Sequence, residues 1–219
     1  MLEKMNEFFN KRVDGYEEHQ LNAIDGAQEF YPYTATCLPM QENAEVLDLG
    51  CGTGLELDFY FKCNPTAKVT GIDLAESMLK VLKNKFSDKK LTTICGSYFD
   101  IPLGEECYDA IVSVESLHHF TMEEKASLYK KVFQALKQGG YLILTDYFAE
   151  TDEQEYFYRQ ELLRLKSEQE ICDDEFYHYD TPLTKTHELQ ALTEAGFSFV
   201  QIIAEWGATA TIKAIKFLL

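Results

Sequence analysis

From Val46 onward, short runs of β-branched and aliphatic residues alternate with stretches of helical periodicity, and no other feature constrains the fold as much. The runs are residues 46–49, 68–72, 91–95, 110–114 and 141–144. Their apolar character is nearly continuous, as in strands covered on both faces. Between two of them, Met78, Leu79, Leu82 and Phe86 recur at helical spacing. Thr121-Met122-Glu123-Glu124 has the pattern of a capping box, in which Thr and Glu satisfy each other's orphan amides. It opens a helix with Leu128, Val132 and Leu136 on one face, expected to stop at Gly139-Gly140. Strand, helix and strand repeated in this way need right-handed crossovers and build a parallel sheet. The C-terminal end differs. Residues 184–195 read as a helix ended by Gly196, and 197–206 and 209–219 as two strands joined near Gly207. So short a turn makes that pair antiparallel. The expectation is an α/β fold: a seven-stranded, mostly parallel sheet with one reversed strand near its edge, and helices on both faces.

A chain of 219 residues, 46% hydrophobic and 26% charged, buries a proper core and fits one domain, here 1–219. Two segments lie outside the alternation. Residues 1–44 read as a helical cap carrying Phe8, Phe9, Tyr16, Phe30, Tyr31 and Tyr33. Residues 147–183 form an insert longer than the usual connection of about 2–6 residues. Between 150 and 180 it holds 11 acidic against 3 basic residues, a net of 3 − 11 = −8. It reads as an amphipathic helix with a solvated face, as a lid over a site, or as both, and it offers a surface through which two copies could pair. The whole chain carries −17, which repels phosphate backbones and disfavours nucleic-acid partners. No uncharged stretch approaches the roughly 18 residues of a membrane helix. The first residues are charged at once, without an apolar leader, so the expected location is the cytoplasm. The six cysteines form no C-x-x-C pair and read as reduced thiols. No H-x-x-x-H or acidic metal box occurs, and no metal centre is expected.

Asp48-Leu49-Gly50-Cys51-Gly52-Thr53-Gly54 follows the first strand and opens a helix. Glycines here allow a sharp turn and close approach of a ligand to the backbone. A dinucleotide loop is G-x-G-x-x-G, whereas this one is G-x-G-x-G, with Leu55 at the late glycine position. That spacing and the reversed strand weigh against a nicotinamide dehydrogenase. Asp73 ends the second strand, where a carboxylate can accept both hydroxyls of a ribose.

With VLDLGCGTG, GID, YDAIVSVESLHHF and LKQGGYLIL in this order over about residues 45–146, the chain resembles the class I S-adenosylmethionine-dependent methyltransferases. The Ala195-Gly196-Phe197 turn and the last strand pair extend the likeness to the end. The resemblance implies a Rossmann-like fold and S-adenosylmethionine as cofactor. Asp48, Gly50, Gly52 and Gly54 would surround its methionine part, and Cys51 between them would also bind the cofactor. Asp73 would hold the ribose, with Leu74 against the adenine. Where the family often has an acid after the third strand, this chain has Ser97 and Tyr98 following Gly96. Glu115, Ser116 and His118 would lie near the sulfonium and the acceptor.

Methyl transfer requires a nucleophile placed in line with an already electrophilic methyl group, and a base only if the acceptor starts protonated. His118 and His119 sit just after a strand; on an extended chain only one of them faces the site. Family position favours His118, while both could instead cap the following loop. Tyr16, Asp146, Tyr147, His178 and Tyr179 are further candidates, and His19 and His187 read as surface residues. The functional reading is a methyltransferase acting on a small-molecule acceptor. The alternatives are a non-catalytic cofactor-binding module, whose acceptor pocket would be blocked, and an RNA-modifying enzyme, whose RNA binding would depend on salt.

Overall fold

The computed structural model describes residues 1–172 and 175–217. Helices α1 (Met5–Lys11), α2 (Tyr16–Ala23) and α3 (Ala27–Thr36) precede the sheet. Then follow β1 (Glu45–Leu49), α4 (Leu55–Cys63), β2 (Lys68–Asp73), α5 (Glu76–Lys85), β3 (Lys90–Cys95) and β4 (Tyr108–Val114). A 3-10 turn (Leu117–His119) leads to α6 (Met122–Ala135), β5 (Leu136–Tyr147), α7 (Asp152–Glu168), α8 (Lys185–Glu194), β6 (Phe199–Trp206) and β7 (Thr209–Ile215).

The seven strands lie in the order β3-β2-β1-β4-β5-β7-β6. β1 to β5 pair in parallel, and β7 runs antiparallel between β5 and β6. The expected reversed strand is therefore one place in from the edge. Alternation along each strand sends side chains to two separate cores. Leu47, Leu49, Ile111, Leu142 and Leu144 pack with α6 and α8, and Val46, Val69, Ala110, Val112 and Ile143 pack with α3, α4 and α5. Both faces are covered, which is why these runs read as unbroken apolar sequence. At the edge, β3 has only half-buried or exposed residues. Between α6 and α8, Lys125 Nζ lies 2.6 Å from Glu188 Oε2, and the Tyr129 hydroxyl donates to the same buried carboxylate.

The capping box of α6 forms as read: the Thr121 amide donates to Glu124 Oε2 at 2.7 Å. Its end falls earlier than expected. Leu136 is fully buried and extended, and pairs with Tyr108 as the first residue of β5. Gly139-Gly140 does not stop the helix; it lies inside β5, where the register slips between Tyr108 and Ala110. A Cβ on Gly140 would lie 2.8 Å from the Lys137 carbonyl oxygen, so the chain there tolerates only glycine.

The order of strands reverses between β1 and β4, and in such sheets ligands bind beyond the carboxyl ends at that crevice. The irregular stretch after α7 returns there and is tied to the N-terminus: Met5 N donates to Phe176 O, and His178 N to Glu3 O. Residues 173 and 174 of the acidic insert, and the last two residues of the final strand as read from sequence, lie outside the described residues.

Candidate active site

The turn after β1 is held open by three glycines with positive φ, at 74° for Gly50, 49° for Gly52 and 74° for Gly54. Backbone amides of Gly50 and Cys51 donate to Ile72 O at 2.8 and 3.1 Å, which fastens the loop to β2. Asp73 completes the anchor: Oδ2 accepts from Gly52 N and Oδ1 from Ala75 N, both at 2.8 Å. A Cβ at Gly50 would fall 2.1 Å from Ser116 Oγ, so the loop passes closely under the end of β4. Ser116 Oγ in turn lies 3.1 Å from the Tyr98 hydroxyl.

Two cavities meet above this floor. The smaller, of about 40 Å³, is lined by Gly50, Gly52, Asp73, Leu74 and Tyr98. The larger, of about 910 Å³, opens between the N-terminal helices, the insert and the ends of β4 and β5, with Phe8, His118, Tyr147 and Trp206 among its walls. Phe9, Tyr16, Glu115 and His119 line both. Four of the candidate cofactor residues line neither. Asp48 is buried beneath the loop beside Glu56. The Cys51 sulfur packs on the backbone of Gly71. Gly54 caps α4 and backs onto Leu82 and Phe86. Ser97 turns its hydroxyl to the Phe99 amide at 3.2 Å.

Glu115 leaves β4 with φ 49°, a strained value for a non-glycine residue and of the kind that concentrates at functional sites. It starts a tight bend, so His118 and His119 sit in a 3-10 turn and not on extended chain. The alternation expected for them does not apply. Both imidazoles face the larger cavity, with ring centroids 4.0 Å apart. Asp146, at the end of β5, holds the turn by accepting from Leu117 N at 2.8 Å, His118 N at 3.1 Å and His118 Nδ1 at 2.5 Å. Asp180, from the insert, stands 2.9 Å from His119 Nδ1 and 3.7 Å from His118 Nε2. Sequence reading missed Asp180, because nothing in its local pattern separates it from the other acids of the insert. Of the two histidines read as surface residues, His19 is exposed yet lines the larger cavity, and His187 pairs with Glu155 between α7 and α8.

The environment divides the two imidazoles. Burial opposes charge on His118, but Asp146, Glu115 and Asp180 outweigh it and raise its pKa to about 9. Burial and the neighbouring His118 cation lower His119 to about 4. At neutral pH one ring is charged and its neighbour neutral. Burial and Asp146 lift Glu115 to about 8. Asp180 is held well below the usual carboxylate range in spite of its partial burial, by His119 and His118.

Residues 46–140 match the family model of a methyltransferase domain. The chain is 28% identical over 198 residues to an uncharacterised methyltransferase of Geobacillus sp. (strain WCH70), covering 90% of this chain and 88% of that one. It is 31% identical over 123 residues to the erythromycin 3''-O-methyltransferase of Saccharopolyspora erythraea, covering 54% of this chain and 40% of that one. The fold matches human N-acetylserotonin methyltransferase, solved with S-adenosylmethionine, with a TM-score of 0.67 at 18% identity, over 97% of this chain and 57% of that one. Residues 46–140 thus match a methyltransferase domain, and the chain is similar to S-adenosylmethionine-dependent methyltransferases in sequence and fold. It thus spans nearly all of one of these proteins and about half of the other two. The strand ends leave the glycine loop accessible at one point. Gly52 is open enough that a Cβ would meet nothing nearer than the Tyr16 ring at 3.8 Å. Glu115 Oε1 is buried without a hydrogen-bond partner among the described residues. No described helix of this chain is long and apolar enough to cross a membrane.

Proposed function

We propose that this methyltransferase moves the methyl group of S-adenosylmethionine to a small-molecule acceptor held in the larger cavity. The observation that carries the reading is the shared wall: Phe9, Tyr16, Glu115 and His119 belong both to the pocket above the glycine loop and to the 910 Å³ cavity. A molecule in each would meet there. In this reading Gly50 and Gly52 let the cofactor lie against the backbone. Asp73 takes the ribose hydroxyls and Leu74 covers the adenine beside Tyr98. Asp48, Cys51, Gly54 and Ser97 shape the loop from behind. The helices of residues 1–44 and the insert of 147–183 act as cap and lid, since Phe8, Tyr16, His178 and Asp180 all come from them.

The cofactor supplies an electrophilic methyl on a cationic sulfur. The chain's own part is placement, exclusion of water and field. Orientation of two reactants can lower a barrier by up to roughly 7–11 kcal/mol. Aromatic faces at Phe9 and Tyr16 and the carboxylates around His118 suit a sulfonium electrostatically. His118 already carries a proton at neutral pH, so it offers the acceptor a charged donor, and His119 is the neutral imidazole beside it. The six cysteines are free thiols, which agrees with action in the cytoplasm, and the charge of −17 favours a small acceptor over RNA.

Incubation with methyl-labelled S-adenosylmethionine and a panel of small phenols, amines and carboxylic acids tests the reading. Label on at least one panel member is expected. Tight cofactor binding with no transfer to any of them would instead favour a non-catalytic binding module.

A further inference from the structure

The wall of the larger cavity holds a donor set that methyl transfer does not require. His118, His119 and Asp180 bring one ligating atom each to within 4.8 Å of the others. We propose that these three residues bind a divalent first-row transition metal, with its open coordination positions turned toward the cavity. Their spacing is that of a metal cage. At metal–ligand distances of about 2.0–2.2 Å, neighbouring ligand atoms lie roughly 3 Å apart, and Asp180 Oδ1 stands 2.9 Å from His119 Nδ1 and 3.7 Å from His118 Nε2.

The contact is also poorly aligned. His119 Nδ1 stands 2.9 Å from Asp180 Oδ1 without a well-aligned hydrogen bond to it, although the His119 side chain is only 5% exposed. Buried polar atoms normally find such a partner. The outer shell is also in place. Asp146 holds His118 through Nδ1 at 2.5 Å, which leaves Nε2 as the ligating nitrogen. This is the carboxylate–histidine arrangement that orients metal ligands. Thr181 N donates to His118 O at 2.7 Å, so the insert and the 3-10 turn are fixed to each other beside the site. Two imidazoles and one carboxylate are borderline donors that select zinc, cobalt or iron over magnesium or calcium. Sequence spacing hid the set: adjacent histidines have no metal-box pattern, and their third partner lies 61 residues beyond His119 (180 − 119).

The proposal uses the cavity assigned above to the acceptor, but its test reads metal and not methyl transfer. Full-length apoprotein is titrated with Zn²⁺ by calorimetry and with Co²⁺ by visible d–d absorption. One equivalent of each is expected to bind, with an absorption of low symmetry. His119→Ala and Asp180→Asn should each weaken Zn²⁺ binding at least about 100-fold and abolish the Co²⁺ band. Asp180 is half-exposed, so Asp180→Asn serves even if the buried His119 variant misfolds; circular dichroism checks both. His187→Ala, which removes the separate surface group of Asp152, Glu155 and His187, should change nothing. No binding by the wild type, or binding lost in His187→Ala and kept in Asp180→Asn, would overturn the proposal. S-adenosylmethionine affinity measured on the same samples tells this failure apart from failure of the methyltransferase reading.

Discussion

The two halves of the site are built in different ways. The half proposed for the cofactor is made of residues close in sequence to strand ends: Gly50 and Gly52 after β1, Asp73 and Leu74 after β2, Tyr98 after β3. Its geometry is backbone geometry, fixed by positive φ at glycines and by amides bonded to Asp73 and Ile72. The half proposed for the acceptor is made of side chains from places that the chain brings together only when folded: Phe8, His118, Asp146, His178, Asp180 and Trp206. Its geometry is electrostatic, a charged imidazole among carboxylates. The comparison teaches that one half of a site can be specified by local turns while the other depends on the whole fold.

Four measurements would break or sharpen that contrast. The largest effect is expected for Asp146→Ala. It strips the counter-charge from buried His118 and frees three backbone amides, of Leu117, His118 and Tyr147, and breaking a buried pair costs about 3–5 kcal/mol. A drop of that size in urea-unfolding stability is expected, with cofactor affinity in the surviving folded protein close to wild type. If affinity collapses while stability holds, the two halves are not separable in this way.

Asp73→Ala should do the reverse. Unpairing the ribose hydroxyls is expected to weaken S-adenosylmethionine binding by about 1–3 kcal/mol, read by calorimetry. Some stability is lost as well, because Gly52 N and Ala75 N lose their acceptor. Unchanged affinity would remove Asp73 from the cofactor site. Gly52→Val probes the same half through the backbone. A β-branched residue at φ 49° is strained by about 1–3 kcal/mol, and its side chain occupies the space that the cofactor needs. Binding should be lost while circular dichroism stays near wild type.

The smallest effect concerns pH. Burial and the neighbouring Glu56 carboxylate push Asp48 well above the usual carboxylate range, so beneath the loop this pair keeps a proton that an unfolded chain would release. The folded value lies above the unfolded one. The contribution to stability is therefore complete below the unfolded value and fades as pH rises through the folded one. Asp48→Asn should gain stability relative to wild type as pH rises from the ordinary carboxylate range through the raised folded value, measured by urea midpoints. A constant difference across that range would show that Asp48 shares no proton.

Much of this molecule was legible beforehand, for reasons that differ by region. Val46, Leu47, Ala110, Ile111 and Val112 announced a sheet buried on both faces because alternate residues enter two cores. Thr121 and Glu124 announced a helix start because a capping box is completed within one turn. Gly139-Gly140 misled as a helix stop, since a glycine pair serves a bulge equally well and only the pairing of Leu136 with Tyr108 decides between them.

The sequence by itself determined the order of strands and helices, the reversal at the C-terminal end and the glycine turn with its acidic partner. Each of these depends on residues near one another in the chain, where periodicity, φ and capping act. The tertiary structure alone decided that both His118 and His119 face one cavity, that Asp146 charges the first, and that Asp180 joins them from the far side of α7. Burial and charge–charge distances set those properties, and neither exists until the insert has packed over the sheet.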